Sequence, residues 1–135
     1  MALFRFRMLL RSFRFAGRGI RYAFHHEQSF RIQSIIALLI IVCIFLFRVT
    51  KQETIVLILL TASVLVLEIL NTAMEMLLDV IKPRMHYAVE VIKDLMAAAV
   101  LLVSLVAVII GLYIFVPYVA HSLSQAPLSF DRLLS

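Results

Sequence analysis

Apolar residues fall into three long blocks that charged side chains barely interrupt. The blocks run from Ile32 to Phe47, from Thr54 to Ile81 and from Leu95 to Val119. A helix needs about 20 apolar residues to cross a bilayer, and flanking side chains can adjust the fit. The pattern therefore predicts three transmembrane helices, over about 32–48, 54–81 and 94–120.

Residues 1–31 have a different pattern, in which seven arginines and a single acid, Glu27, alternate with aromatic and aliphatic residues. Five arginines recur at intervals of three and four residues: Arg7, Arg11, Arg14, Arg18 and Arg21. A helix would align these five along one stripe that suits anionic headgroups. Basic and aromatic residues also interleave in nucleic-acid binders, but this segment leads directly into a span. We therefore expect an amphipathic surface helix and no nucleic-acid partner.

The composition agrees with a membrane protein. Of the 135 residues 64% are hydrophobic and 16% are charged, whereas a soluble domain is about 45–50% apolar. The length suits one domain, residues 1–135, and no internal repeat divides it. The single cysteine, Cys43, excludes an intrachain disulfide and a cysteine-rich metal site.

The distribution of basic residues predicts the orientation. Lysine and arginine are most frequent in the N-terminal segment and in the connector 82–93, and less so in the connector 48–53. Cytoplasmic loops favour these residues, so we expect a multi-pass protein of the inner (cytoplasmic) membrane with its N-terminus in the cytoplasm. The tail, residues 121–135, is expected to be weakly ordered and without chemistry.

Polar residues line one face of the second predicted span. They are Glu68, Asn71, Thr72, Glu75 and Asp79. At about 100° per residue, Glu68 and Glu75 lie roughly 20° apart around the helix and about 10 Å apart along it. The spacing predicts a single polar stripe with two glutamates on the same side.

Carboxylates within a span need a compensating role, since each costs on the order of 2.5–3.5 kcal/mol to insert. One alternative is that they only hydrogen-bond neighbouring helices. No basic residue occurs between Thr54 and Ile81, so the cluster favours a bound cation instead. Magnesium prefers carboxylate oxygens and often accompanies nucleotide phosphates. The sequence has no glycine-rich phosphate loop, but Lys93 and Asp94 could hold part of a nucleotide.

A longer motif points to a known family. It consists of Glu68-Ile-Leu-Asn71-Thr72-Ala73-Met-Glu75, then Asp79, His86 and Lys93-Asp94 ahead of an alanine-rich stretch, with Glu27 and Phe30-Arg31 upstream. The combination of these residues resembles the prokaryotic diacylglycerol kinase and undecaprenol kinase family. The resemblance extends over about residues 12–118. Two places differ: Leu95–Ala99 offers no hydroxyl, and Pro83-Arg84-Met85 precedes His86.

The resemblance implies roles for individual residues. Glu68 would be the general base for the lipid hydroxyl, and Asn71 would position the base or the substrate. Glu27 and Glu75 would ligate Mg²⁺ on ATP, while His86, Lys93 and Asp94 would line the nucleotide site. The family is homotrimeric, with a surface helix, three spans per subunit and active sites shared between subunits.

The resemblance thus implies an ATP-dependent transferase of phospholipid metabolism. It would convert diacylglycerol to phosphatidic acid, or undecaprenol to undecaprenyl phosphate, and the residues do not distinguish the two. A non-catalytic membrane scaffold, with the acids as contacts between helices, is the alternative. An ion transporter is poorly supported, because the third span offers only the hydroxyls of Ser104 and Tyr113 to a transmembrane route.

Overall fold

Helices make up almost all of the part of the chain that the structure, a computed structural model, describes: residues 2–81 and 86–125. The four helices are α1 (Ala2–His26), α2 (Gln28–Phe47), α3 (Lys51–Ile81) and α4 (His86–Gln125). Helices α2, α3 and α4 are long and apolar enough to cross a membrane. The predicted fold class, a surface helix followed by three spans, is confirmed.

The helices extend beyond the predicted spans. Helix α4 begins at His86, so most of the predicted connector 82–93 is helical. This segment contains no proline or glycine after residue 83, and Val89 is buried in it. Helix α4 also continues to Gln125, into the predicted tail. Residues 82–85 and 126–135, the rest of those two predictions, lie outside the described residues.

Helix lengths determine which residues can leave the bilayer. At 1.5 Å per residue, the 20 residues of α2 span about 30 Å, which matches the hydrocarbon core. The 31 residues of α3 and the 40 of α4 span about 46 and 60 Å. Both helices therefore extend past the hydrocarbon, so their polar ends can reach water.

The three spanning helices pack tightly at the end where α2 turns into α3. Arg48 takes a left-handed conformation there (φ 51°, ψ 48°), and its backbone N–H donates to the carbonyl of Ile44. One buried residue from each helix meets at this end: Ile44, Leu57 and Ile114. Below, we call these three residues the apolar cluster.

Most other large apolar side chains are exposed on the single chain. Phe45 and Val80, for example, keep 77% and 79% of their surface. In a membrane this surface meets lipid tails or other helices rather than water. Helix α1 is anchored to the bundle at its C-terminal end, where Ala23 is buried.

The amphipathic character of α1 is visible in its side chains. Phe13 is 75% exposed, and the guanidinium groups of Arg11 and Arg18 lie 5.5 and 4.7 Å from the centre of the Phe15 ring. Such cation–π contacts hold arginine beside apolar rings. The helix can therefore bury its aromatic rings among lipid headgroups while its arginines contact phosphates.

Candidate functional site

The polar stripe on α3 is present as the spacing predicted. Within the described ranges, Glu68 and Thr72 are the two buried polar residues, at 4% and 5% exposure. The Thr72 hydroxyl donates to the backbone carbonyl of Glu68 at 3.0 Å. Thr72 is thereby satisfied within the helix, and the Glu68 carboxylate remains for contacts with other elements.

Helix α2 supplies the nearest partner of that carboxylate. The side-chain amide of Gln33 donates to Glu68 Oε2 at 3.4 Å, and the Ser29 side chain lies nearby. Sequence reasoning missed both residues. Their spacing of four places them on one helix face and could have suggested a polar partner for α3.

Asn71 contacts the second glutamate of the stripe. Its amide donates to Glu75 Oε1 at 3.1 Å, and its role in positioning Glu68 or the substrate stays a prediction. The two residues are four apart on α3, so the contact follows directly from helix geometry. Asn71 therefore orients Glu75, which is half-buried.

Glu27 lies at the junction of α1 and α2. It occupies the N-cap position of α2, yet its carboxylate makes no capping hydrogen bond. Its charge and that of Glu75 both act on Glu68. The structure thus brings Glu27 and Glu75, two other predicted site residues, within electrostatic reach of Glu68.

Lys93 joins this region from α4. Its ammonium forms an ion pair with Asp79 at 2.9 Å, and the charge of Glu75 also acts on it. Asp79 belongs to the predicted stripe but not to the predicted nucleotide residues. Asp94 is exposed beside Lys93. His86 is the first residue of α4, and its side chain lies outside the described part of the structure.

The donor set suits a magnesium ion that arrives with a nucleotide. Among the described residues, no three His, Cys, Asp or Glu side chains are grouped as a complete protein site for a metal ion. Magnesium commonly takes only one or two carboxylates and completes its shell with phosphates and water. Glu27 and Glu75 fit that requirement, since both are carboxylates at the same end of the bundle.

An apolar groove of about 450 Å³ lies between α2, α3 and α4 and begins beside Glu68, at Gln33. Gln33 and Ser104 are among its lining residues, and the carbonyl oxygen of Gln33 and the hydroxyl of Ser104 are buried without a partner in the described structure. The remaining lining is mostly aliphatic, with residues such as Ile36, Ala37, Val64, Leu65 and Ala107. The groove thus offers an apolar surface to a hydrocarbon chain.

Comparison with known proteins supports the resemblance. The family model described as prokaryotic diacylglycerol kinase matches residues 14–115, from the middle of α1 to the last third of α4. The match includes Glu27, the whole polar stripe and Lys93-Asp94. A comparison with curated proteins finds no match. The chain belongs to the prokaryotic diacylglycerol kinase family.

Proposed function

We propose that the protein transfers the γ-phosphoryl group of ATP to the hydroxyl of a membrane lipid alcohol. Membership of the family indicates a lipid kinase. The observation that supports the reaction best is the buried carboxylate of Glu68, within electrostatic reach of Glu27 and Glu75. A carboxylate buried within a membrane span is costly to insert, so its presence calls for a compensating role.

Glu68 is the proposed general base. The lipid hydroxyl oxygen attacks the γ-phosphorus, the bond to the β-phosphate oxygen breaks, and Glu68 takes the hydroxyl proton as ADP leaves. Gln33 holds Oε2 of Glu68 from α2, so the carboxylate is oriented before the substrate arrives. Such positioning of the reacting groups supplies much of the rate enhancement in phosphoryl transfer.

Glu27 and Glu75 are the proposed ligands of the Mg²⁺ that accompanies ATP, which would neutralise charge on the phosphates. Asn71 keeps Glu75 in place through its hydrogen bond. Lys93, Asp94 and His86 are the proposed nucleotide contacts from the start of α4. The ion pair with Asp79 holds the Lys93 ammonium on the same side as Glu75, where phosphates would be bound.

The groove between the spanning helices supports a substrate with a hydrocarbon tail. Its start at Gln33 would place the hydroxyl near Glu68 and the tail deeper in the bilayer. Diacylglycerol and undecaprenol both have this form, and either is a candidate. We place the N-terminus in the cytoplasm and the protein in the inner membrane, so that the acids face cellular ATP.

A homotrimer is the proposed assembly. The single chain leaves most of its apolar side chains exposed, and Glu27 and Glu75 are only half-buried in it. Neighbouring subunits could cover these surfaces and contribute to one another's sites.

A scaffold without catalysis is the competing function, and two observations favour it. The Gln33–Glu68 and Lys93–Asp79 contacts each connect two helices, as contacts in a scaffold would. The scaffold has no use for Glu27, however, since that carboxylate at a helix start does not even cap the helix. The kinase accounts for all three acids.

The direct test is a kinase assay on purified protein. Micelles containing dioleoylglycerol or undecaprenol are mixed with Mg²⁺ and radiolabelled ATP, and labelled lipid phosphate is measured. We expect one of the two lipids to be phosphorylated by the wild type and neither by Glu68→Gln. If folded wild-type protein labels neither lipid, the proposal is wrong and the scaffold is favoured.

A further inference from the structure

A second candidate binding region lies at the opposite end of the bundle from Glu68, next to the apolar cluster. An open cleft of about 540 Å³ is formed there by the end of α2, the start of α3 and the last turns of α4. Its polar lining includes Arg48, Glu53, Tyr118 and His121. An adjoining cleft of about 610 Å³ shares Glu53 and Pro117 and is otherwise lined by Leu112, Tyr113 and Val116. One end of this region is therefore polar and the other apolar.

Arg48 supplies a fixed positive charge to the polar cleft. It adopts the left-handed backbone conformation at the end of α2, a position that glycine normally fills because it has no Cβ. An arginine there is disfavoured by its backbone, yet Arg48 is one of the residues that line the cleft. Within the described ranges, its guanidinium has no carboxylate partner.

Glu53 supplies a fixed negative charge. Three hydrogen bonds converge on its Oε2 atom, from the Thr50 backbone N–H at 3.2 Å, the Thr50 hydroxyl at 2.5 Å and the Tyr118 hydroxyl at 2.7 Å. The other oxygen, Oε1, has no partner among the described residues. A carboxylate accepts up to about four hydrogen bonds, so Glu53 is held rigidly and still has an oxygen to offer.

The charges of Arg48 and Glu53 together determine which lipid headgroup fits the cleft. Guanidinium groups bind phosphate with parallel hydrogen bonds. A purely anionic headgroup would meet repulsion from Glu53, and a quaternary ammonium has no N–H to donate to Oε1. A headgroup with both a phosphate and a primary ammonium satisfies both side chains. The adjoining apolar cleft can take the acyl chain of the same molecule.

We propose that this region binds a phospholipid of the phosphatidylethanolamine type. Its phosphate contacts Arg48, its ammonium contacts Glu53, and one acyl chain lies along Leu112 and Val116. The site joins the connector between α2 and α3 to the end of α4. It needs no kinase activity and goes beyond the proposed reaction, so it can be tested by binding alone.

The test is native mass spectrometry of the full-length protein released from micelles. The micelles contain equal amounts of phosphatidylethanolamine, phosphatidylcholine and phosphatidylglycerol with the same acyl chains. We expect the wild type to retain phosphatidylethanolamine at least about fivefold over either competitor, as charge-assisted hydrogen bonds allow. Equal retention of the three lipids, or a preference for phosphatidylglycerol, would overturn the proposal.

Four variants assign the contacts. Glu53→Gln should abolish the preference for phosphatidylethanolamine over phosphatidylcholine, and Arg48→Gln should lower retention of both about tenfold. Lys51→Gln is the matched control, because Lys51 is an exposed cation at the start of α3 that lies outside the cleft. Tyr118→Phe removes one bond to Glu53 without changing the charge and should keep the preference. If Lys51→Gln matches Arg48→Gln, or Tyr118→Phe matches Glu53→Gln, specific recognition is refuted.

Discussion

The two halves of α3 lie in the same bundle but differ in what they bury. The half near Lys51 packs through the apolar cluster, where Leu57 is 2% exposed and meets aliphatic neighbours from α2 and α4. The half near Ile81 buries Glu68 as well as Leu78 and contacts other elements through amides, carboxylates and an ammonium. Burying a carboxylate within a span is costly and calls for a compensating role, so we infer that the half near Ile81 carries the proposed chemistry while the half near Lys51 mainly stabilises the bundle.

Among the changes in the half of α3 near Ile81, Glu68→Gln should lower turnover the most. The amide keeps the size and much of the hydrogen bonding of the side chain but cannot accept the proton of the lipid hydroxyl. Loss of a general base typically lowers kcat by about 10²–10⁴-fold. We expect the KM for MgATP and the elution volume on size-exclusion chromatography to stay near the wild-type values.

Two results would contradict that assignment. Turnover within about twofold of wild type would show that Glu68 is not the base. Dissociation or unfolding of the variant, seen by chromatography and circular dichroism, would show instead that the polar half is needed for stability.

Glu75→Gln should act on nucleotide binding rather than on the proton. A neutral amide balances less of the charge of Mg²⁺, so the KM for MgATP should rise about tenfold or more and activity should fall with it. Glu27→Gln should behave similarly but less severely. Titration with MgATP and steady-state kinetics provide the measurement.

Glu53→Gln is the matched control for these two variants. Glu53 is also a half-buried acid of α3, but it lies at the opposite end. Its variant should bind MgATP as the wild type does when assayed in micelles. If Glu75→Gln binds MgATP equally well, Glu75 is not a ligand of the metal–nucleotide complex.

Leu57→Ala tests the apolar half. In soluble cores this change costs about 2–5 kcal/mol, but lipid tails are as apolar as leucine, so we expect a smaller loss of about 1–3 kcal/mol. Kinase activity should be retained at temperatures where the variant is folded. Leu59→Ala, at a 62% exposed position, should be nearly neutral. Equal melting temperatures for the two variants would show that the apolar cluster does not stabilise the bundle.

Asp79→Asn should have the smallest effect. The partners Lys93 and Asp79 keep 35% and 62% of their side-chain surface, and exposed ion pairs contribute little to stability. The melting temperature should hardly change, and the KM for MgATP should shift by roughly twofold. A loss of activity as large as that of Glu75→Gln would mean that Asp79 is itself part of the nucleotide site.

The periodicity of the sequence was enough to predict the helices and the polar stripe. Glu68, Thr72 and Glu75 share a face because of the helix repeat alone, and the structure has them so. The contact between Gln33 and Glu68 depends on how α2 and α3 are aligned lengthwise, which local periodicity does not determine. The same is true of the Lys93–Asp79 pair.

The predicted connector 82–93 was too long, because its charged residues were interpreted as a loop. The segment from His86 to Lys93 contains charged residues but no helix breaker, and its buried Val89 helps hold it in α4. Arg48 could not be recognised as a left-handed residue, because that conformation is usually indicated by glycine or asparagine. The roles of Glu27, Glu68, Asn71, Glu75, His86, Lys93 and Asp94 stay predictions.

Glu27 is the single residue between α1, the expected surface helix, and α2, which is apolar enough to cross a membrane. Helix α1 ends at His26 and α2 begins at Gln28, so a tilt of α1 on the headgroups must pivot at this residue. Its carboxylate would therefore move whenever the charge or curvature of the bilayer surface changes how α1 lies. Because coupling between two binding events is reciprocal, a nucleotide bound at Glu27 would in turn stiffen this joint and hold α1 on the membrane.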